Sequence, residues 1–336
     1  MSDDIILLSH GAGGQLMSEL IAEVFVRGFD NPVLRAREDS GVIELAGRRL
    51  ALTTDSFVVT PVVFPGGDIG KLAACGTVND LAAVGAQPAA LAASFILEEG
   101  LERALLRRCV ESLHAAAEEA GAWVVTGDTK VVPKGSADQL FITTAGVGLV
   151  PGNLAISAAA ARPGDAVLIN GGIAEHGISV LCAREGMDFQ LDIGSDCAPL
   201  NRLVGALIEA GCDIHCLRDP TRGGVSAALN EIAGQSGVCI ELREESLPIA
   251  PAVATACELL GLDPLQVANE GKMLVILPEA QAERALAAMR GAPYGAGAAI
   301  IGRVLEDPAG RVQLKTLVGP ARIVDRPVGE PMPRIC

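Results

Sequence analysis

Three aspartates stand at comparable places in the first half of the chain. Asp55 closes an apolar run in TTDS, Asp80 lies in TVND on the helix that follows, and Asp128 closes another run in TGDTK. Carboxylates gathered at strand ends repel one another unless a cation joins them. Oxygen ligands of this kind suit Mg²⁺, which bridges to substrate phosphates. Each acid alone could instead cap a helix or turn. Three together, with Asn79 beside one of them, favour the cation.

Glycine-rich stretches accompany the acids. SHGAGG (Ser9–Gly14) precedes an apolar helix, so Gly11, Gly13 and Gly14 could wrap phosphates with backbone N–H groups, or simply form a flexible turn. GGDIGKL (Gly66–Leu72) is not a P-loop: Pro65 stands where its first glycine is required, and Leu72 where a Ser or Thr is required. DPTRGG (Asp219–Gly224) opens a helix that Asp219 or Thr221 can cap, and Arg222 can hold an anion. ANEGK (Ala268–Lys272) puts Glu270 in a turn before a strand, as a solvated acid or as a general base.

CDIHC (Cys212–Cys216) has no zinc spacing and reads as structural cysteines with a surface histidine. His176 in AEHG is a possible phosphate contact; His114 and Trp123 read as packing residues. The chain ends PMPRIC, with Cys336 on a tail stiffened by Pro327, Pro331 and Pro333. Such a thiol is either a chance terminal residue or the working end of an arm. From Pro327 at polyproline rise, that arm would reach about 31 Å.

The elements that must position these groups follow from periodicity. Strands are expected at Arg49–Asp55, Pro88–Leu97 and Gln139–Val150, with a buried strand at Ala122–Asp128. Helices are expected at Asp68–Gly85 and Leu101–Ala120, the second ending at Gly121. ARPG (Ala161–Gly164) marks a boundary. Beyond it come strands Asp165–Asn170, Val238–Leu242, Lys272–Leu277, Ala298–Val304 and Val312–Lys315. Helices Ile178–Glu185, Cys197–Ala210, Val225–Gln235 and Glu279–Arg290 lie between or beside them. No periodicity remains after about Val318.

Composition sets the limits. The 336 residues have room for two domains, and half of them are apolar. Only 3% are aromatic, so Ala, Val, Leu and Ile must fill the core. A net charge of −15 argues against nucleic acid, where Lys and Arg neutralise phosphates. The acidic start MSDDIILLSHG is no signal peptide, and no run is long enough for a membrane span. Nine cysteines without CxxC pairs indicate reduced thiols and a cytoplasmic setting.

GAGG, TTDSFVV, GTVNDLAAVGA, VTGDTKVV, RDPTRGG, ANEGK and the terminal PRIC occur in that order along the whole chain. Together they resemble the HypE carbamoyl dehydratases of the PurM-like, aminoimidazole ribonucleotide synthetase-like, ATP-dependent superfamily. The resemblance implies an α/β (α+β) two-domain PurM-like fold. Residues 1–150 would bind ATP and dimerise into a β-barrel, residues 151–317 would form a C-terminal α/β domain, and residues 318–336 a mobile tail.

It also implies a reaction. The carbamoyltransferase HypF would load a carbamoyl group onto Cys336, and ATP with Mg²⁺ would drive its dehydration to a thiocyanate. The cyano group would pass to iron on the HypC–HypD complex, as a ligand of a [NiFe]-hydrogenase centre. Asp55, Asp80 and Asp128 would hold Mg²⁺ and the triphosphate, with Gly11, Gly13, Gly14 and Asn79 beside them. Lys130 or Lys134 would neutralise phosphate charge, Glu270 would be the base, and Asp219 and Arg222 would shape the second-domain wall. The terminal carboxylate would disfavour a Cys336 thiolate, with Arg334 partly offsetting it.

Two rival readings remain. One is a PurM-like enzyme with a diffusible substrate, such as a selenophosphate synthetase, expected to carry a reactive cysteine or selenocysteine near the N-terminus. SHGAGG has neither. The other is a carrier or scaffold without catalysis.

Overall fold

The computed structural model of the chain describes residues 5–152, 154–187, 193–329, 332 and 334–336. The tail residues Pro331 and Pro333 lie outside the described residues.

The first sheet has five strands in the order Gly41–Leu45, Arg48–Phe57, Leu140–Leu149, Gln87–Glu98, Trp123–Val132. Every neighbouring pair is antiparallel except the last, which is parallel. One face of the sheet carries the helix Ile69–Ala83. Asp68 starts that helix by accepting from the N–H groups of Gly70 and Lys71 at 2.9 and 3.1 Å. Its residues are mostly small, and Ala73, Ala74, Cys75, Val78 and Ala82 are wholly buried. Small side chains let it approach the sheet closely: a Cβ on Gly76 would press on the Phe57 ring at about 3 Å. The helix Arg103–Ala120 lies against it and ends at Gly121, whose φ of 75° is open to glycine at no cost.

The second sheet has seven strands in the order Ala321–Ile323, Arg311–Lys315, Cys239–Arg243, Ala299–Leu305, Asp165–Ile169, Leu274–Pro278, Cys216–Arg218. Asp165–Ile169 is buried at every position, as a strand covered on both faces must be. Helices Glu175–Glu185, Asn201–Glu209, Gly224–Ser236, Pro251–Leu260 and Ala282–Gly291 complete the domain. No helix among the described residues is long and apolar enough to cross a membrane.

The structure departs from the periodicity in several places. Strands Gly41–Leu45, Cys216–Arg218 and Ala321–Ile323 and helix Pro251–Leu260 were not expected. The first, GVIEL, is a five-residue hairpin partner whose apolar residues do not alternate with polar ones, and two are three-residue edges. Asp55 and Asp128 do not close strands but sit inside ten-residue ones. The largely antiparallel first sheet therefore presents its acids from a face, and the strand-end argument does not apply to it. The segment expected as a buried strand is exposed along Trp123–Val131, because it forms an uncovered edge of the sheet.

The end of the chain is docked. After pairing with Arg311–Lys315, it passes Ser226 and Asn230, whose side chains donate to the carbonyls of Asp325 and Val324. It then crosses back to the first domain, where the N–H groups of Thr60 and Val58 donate to Arg334 O and Cys336 O at 3.3 and 3.0 Å. Ile335 is buried.

Candidate active site

A cavity of about 750 Å³ lies between the two domains. Strand periodicity puts Thr53, Asp55 and Phe57 on one face of Arg48–Phe57. Helical periodicity puts Gly76 and Asp80 one turn apart on the helix above. Thr53 Oγ1 donates to Asp80 at 2.6 Å, and Thr77 Oγ1 to Asp55 at 3.2 Å. Asp39 joins them from the turn before the first strand. The opposite wall carries Arg218, Asp219, Arg222, Glu231 and Glu270 from the second domain, and Cys336 enters between the walls.

The electrostatics are those of crowded carboxyls. Burial first, then Asp55, Asp219 and Asp39, push Asp80 well above the usual carboxylate range. Burial also raises Asp55, against Arg222 and hydrogen bonds from Thr77 and Asp80. Asp39 is well raised by burial despite its ion pair with Arg218 at 2.9 Å. Burial lifts Asp219 to about 6. Among the described residues no three His, Cys, Asp or Glu side chains already form a metal cluster.

Glu270 is buried, and Asp196 fixes its backbone by accepting from the N–H groups of Glu270 and Gly271 at 3.2 and 3.1 Å. Burial, then Cys197, Asp219 and Asp196, push the Glu270 carboxyl well up. Its Oε1 has no hydrogen-bond partner among the described residues. A buried oxygen left in that state costs free energy unless something bound supplies a donor. Burial is the largest influence on Asp196 and works against its charge, but Lys272 at 3.0 Å together with the other groups around it, the Glu270 N–H among them, holds the carboxyl below its ordinary value.

The half-buried Cys336 thiol is pushed up to about 12 by burial, with Glu270, Asp55 and Asp219 adding and Arg222 opposing. Arg222 is the cation that faces it. Arg334, expected in that role, turns away: it pairs with Asp138 at 2.6 Å, donates to Val58 O and lies over the Phe141 ring.

The glycine loops meet each other. Gly13 has φ of 78°, and a Cβ there would strike the Arg222 backbone; one on Gly223 would come within 3.0 Å of Gly13 O. A Cβ on Gly14 would strike Pro327 O. Gly13 and Gly14 line the main cavity, and Gly11 lines a smaller adjoining cleft of about 210 Å³ that Cys336 also borders.

The remaining expected residues are placed elsewhere. Asn79 does not line the cavity. Its amide donates to Ala198 O and Glu270 O at 3.1 and 3.2 Å and accepts from Leu200 N–H at 2.8 Å. Asp128 and Lys130 pair at 2.8 Å on the exposed edge strand, and Lys134 is exposed in the turn beyond it. None of these three lines the cavity of the single chain. His176 is buried against the tail and Ser195. His114 and Trp123 are exposed, not packed, since neither faces a covered side of its element. The histidine of CDIHC is not on the surface either. His215 is buried, and its Nδ1 is satisfied by Asp165 at 2.8 Å. Asp39, Arg218, Glu231, Ser195, Asp196 and Lys272 were not foreseen; Arg218 and Lys272 stand inside the quoted RDPTRGG and ANEGK stretches.

Known proteins resemble this chain along its whole length. The AIR synthase related protein N-terminal domain matches residues 37–150, and the C-terminal domain of the same family matches residues 162–315. The chain is 51% identical to the carbamoyl dehydratase HypE of Rhodobacter capsulatus, over 100% of this chain and 99% of that protein. A solved hydrogenase maturation protein HypE in complex with ATP is 48% identical, with a TM-score of 0.83, covering 99% of this chain and 100% of the other. The HypE chain of a solved HypE–HypF complex is 50% identical with a TM-score of 0.86, covering 92% of this chain and 99% of that one. The chain belongs to the AIR synthase related family and, within it, to the HypE carbamoyl dehydratases.

Proposed function

We propose that this chain is an ATP-dependent carbamoyl dehydratase that converts an S-carbamoyl group on Cys336 to S-cyanide for [NiFe]-hydrogenase maturation. The observation that carries the reading is the Cys336 thiol, held in the interdomain cavity between Arg222, Glu270 and the carboxyl wall. Identity near one half to HypE proteins, one of them solved with ATP, supports it.

The chemistry follows from the groups present. A carboxamide oxygen is a poor leaving group. When it attacks the γ-phosphorus of ATP, ADP departs and an imidate phosphate remains. That phosphate then leaves with the former carbonyl oxygen as the C–N triple bond forms. The nitrogen must lose both of its protons: Glu270 takes one through its unpartnered Oε1, and the departing phosphate, whose bridging oxygen becomes a free P–O group, carries away the other. Burial raises the proton affinity of Glu270, which makes it a stronger base once ionised, and Arg222 opposes that shift and favours the ionised form. Arg222 opposes negative charge developing on the imidate oxygen.

The acidic wall fits a divalent cation, since the repulsion raising Asp55, Asp80 and Asp219 is what bound Mg²⁺ relieves. Those residues, completed by phosphate oxygens, would hold it, and it would supply charge neutralisation on the triphosphate. The exposed Trp123–Val132 edge supports a homodimer whose two sheets join into a barrel, and Asp128 with Lys130 or Lys134 would then act at or near that interface. Tail mobility, loading by HypF and delivery to HypC–HypD complete the cycle. The free thiols suit a reducing cytoplasm.

The test is mass spectrometry of the C-terminal peptide after incubation with ATP, carbamoyl phosphate and the carbamoyltransferase. A carbamoyl adduct on Cys336 that loses one water only when ATP is present is expected. An adduct that never loses water leaves a carrier, and no adduct at all points to a diffusible substrate.

A further inference from the structure

We infer that His176, Ser195 and Asp196 form a bridge that positions the terminal thiol and Glu270 relative to each other. The inference rests on the dehydratase reading for its purpose but on the hydrogen bonds alone for its geometry.

Ile335 O lies 2.9 Å from His176 Nε2 and can only accept, so Nε2 carries the proton. His176 Nδ1 is then an acceptor, and the Ser195 hydroxyl donates to it at 2.8 Å. Ser195 Oγ in turn accepts from Cys197 N–H at 3.1 Å. The next residue, Asp196, accepts from the N–H groups of Glu270 and Gly271. Two consecutive residues therefore hold the tail on one side and the base on the other.

The imidazole is wholly buried and edge-on to Phe64 at 5.5 Å. Burial also keeps it neutral, pushing its titration below the usual value, so the tautomer is single. The same helix start is tied to the base segment directly. Ala174 N–H donates to Asn269 Oδ1 at 2.8 Å, and Gly177 N–H to Ala268 O at 3.0 Å. At Gly177 a Cβ would crowd Val267 and come within 3.2 Å of Met332 Sδ, so the glycine leaves room for the tail.

His176, Ser195 and Asp196 do not line the cavity, so they are positioning residues and touch no reacting atom. Removing the Nε2 donor leaves the Ile335 carbonyl unpaired in the docked state only, which shifts the tail outward.

The experiment compares His176→Leu, His176→Gln and Ser195→Ala in the full chain. It measures iodoacetamide alkylation of Cys336 by peptide mass, and single-turnover conversion of the carbamoyl group at saturating ATP. Loss of one buried hydrogen bond should speed Cys336 alkylation about tenfold and slow dehydration about tenfold in His176→Leu and Ser195→Ala. The KM for ATP and the rate of carbamoyl loading should hold. His176→Gln, whose amide can still donate, should restore most of the protection.

Unchanged alkylation in both Ser195→Ala and His176→Leu overturns the bridge. So does an ATP KM that worsens in step with the dehydration rate, which would mark a general loss of packing. If His176→Leu does not fold, Ser195→Ala and His176→Gln decide alone. A wild-type protein that never dehydrates its cargo would defeat the dehydratase reading, while the alkylation result would still judge the bridge.

Discussion

The edge strand Trp123–Val132 and the wall formed by Asp219, Arg222 and Glu270 carry similar residues in opposite surroundings. On the edge, Asp128 pairs with Lys130 in open solvent, and the lysine holds its carboxyl below the usual range. On the wall, burial lifts Asp219 to about 6 and Glu270 well above its ordinary value. Both regions are an acid beside a cation in sequence. The difference is desolvation, which turns a solvated ion pair into a site able to hold or move a proton.

The sharpest way to test that contrast is Glu270→Gln. Loss of a general base should cut single-turnover dehydration by about 10²- to 10⁴-fold while nucleotide binding by calorimetry holds. A tenfold effect or less would move the base elsewhere. Next comes the edge itself. Val125→Glu puts a charge on a 64% exposed strand position and should give a monomer by light scattering; an unchanged mass would show that this edge is no interface.

Lys130→Ala should raise the KM for ATP by roughly tenfold through lost charge at or near that interface, with the melting temperature unmoved. If it matched Glu270→Gln in dehydration rate, the edge and the wall would be equals and the contrast would fail.

The smallest effect is on stability against pH. A carboxyl raised on folding adds stability at low pH, and that stability is lost as pH rises through its folded value. For Asp219 the window runs from 3.8 to about 6, and Asp55, Asp80, Asp39 and Glu270 act in the same direction. Mg²⁺ with nucleotide should therefore raise the melting temperature more at pH 7.5 than at pH 5. An equal rise at both would detach the cation from these carboxyls.

Much of the wall was legible in the sequence, because Asp219, Arg222 and Glu270 sit beside glycines at element junctions, where local pattern is informative. Asp55 and Asp80 were legible as partners from a strand and the helix after it, but their presentation from a sheet face was not, because periodicity does not show where a strand ends. The pairing of Asp39 with Arg218 left no trace, although Arg218 opens the quoted RDPTRGG stretch, since the pair joins distant parts of the chain and Asp39 has no local signature. Trp123–Val132 was misread because an apolar run looks the same whether or not its own chain covers it. The docked tail was illegible for a related reason. Its contacts are mostly single backbone groups meeting Val58, Thr60 and His176, and any residue type supplies those.

Asn79 has one more implication. Its amide rivets the helix Ile69–Ala83 to Ala198, Leu200 and Glu270 of the second domain. Parting the domains like a book would snap three bonds of a fully enclosed group at once. Opening for nucleotide or product would then come more easily from the opposite seam, where Gly14 abuts Pro327 and Gly13 packs on Arg222.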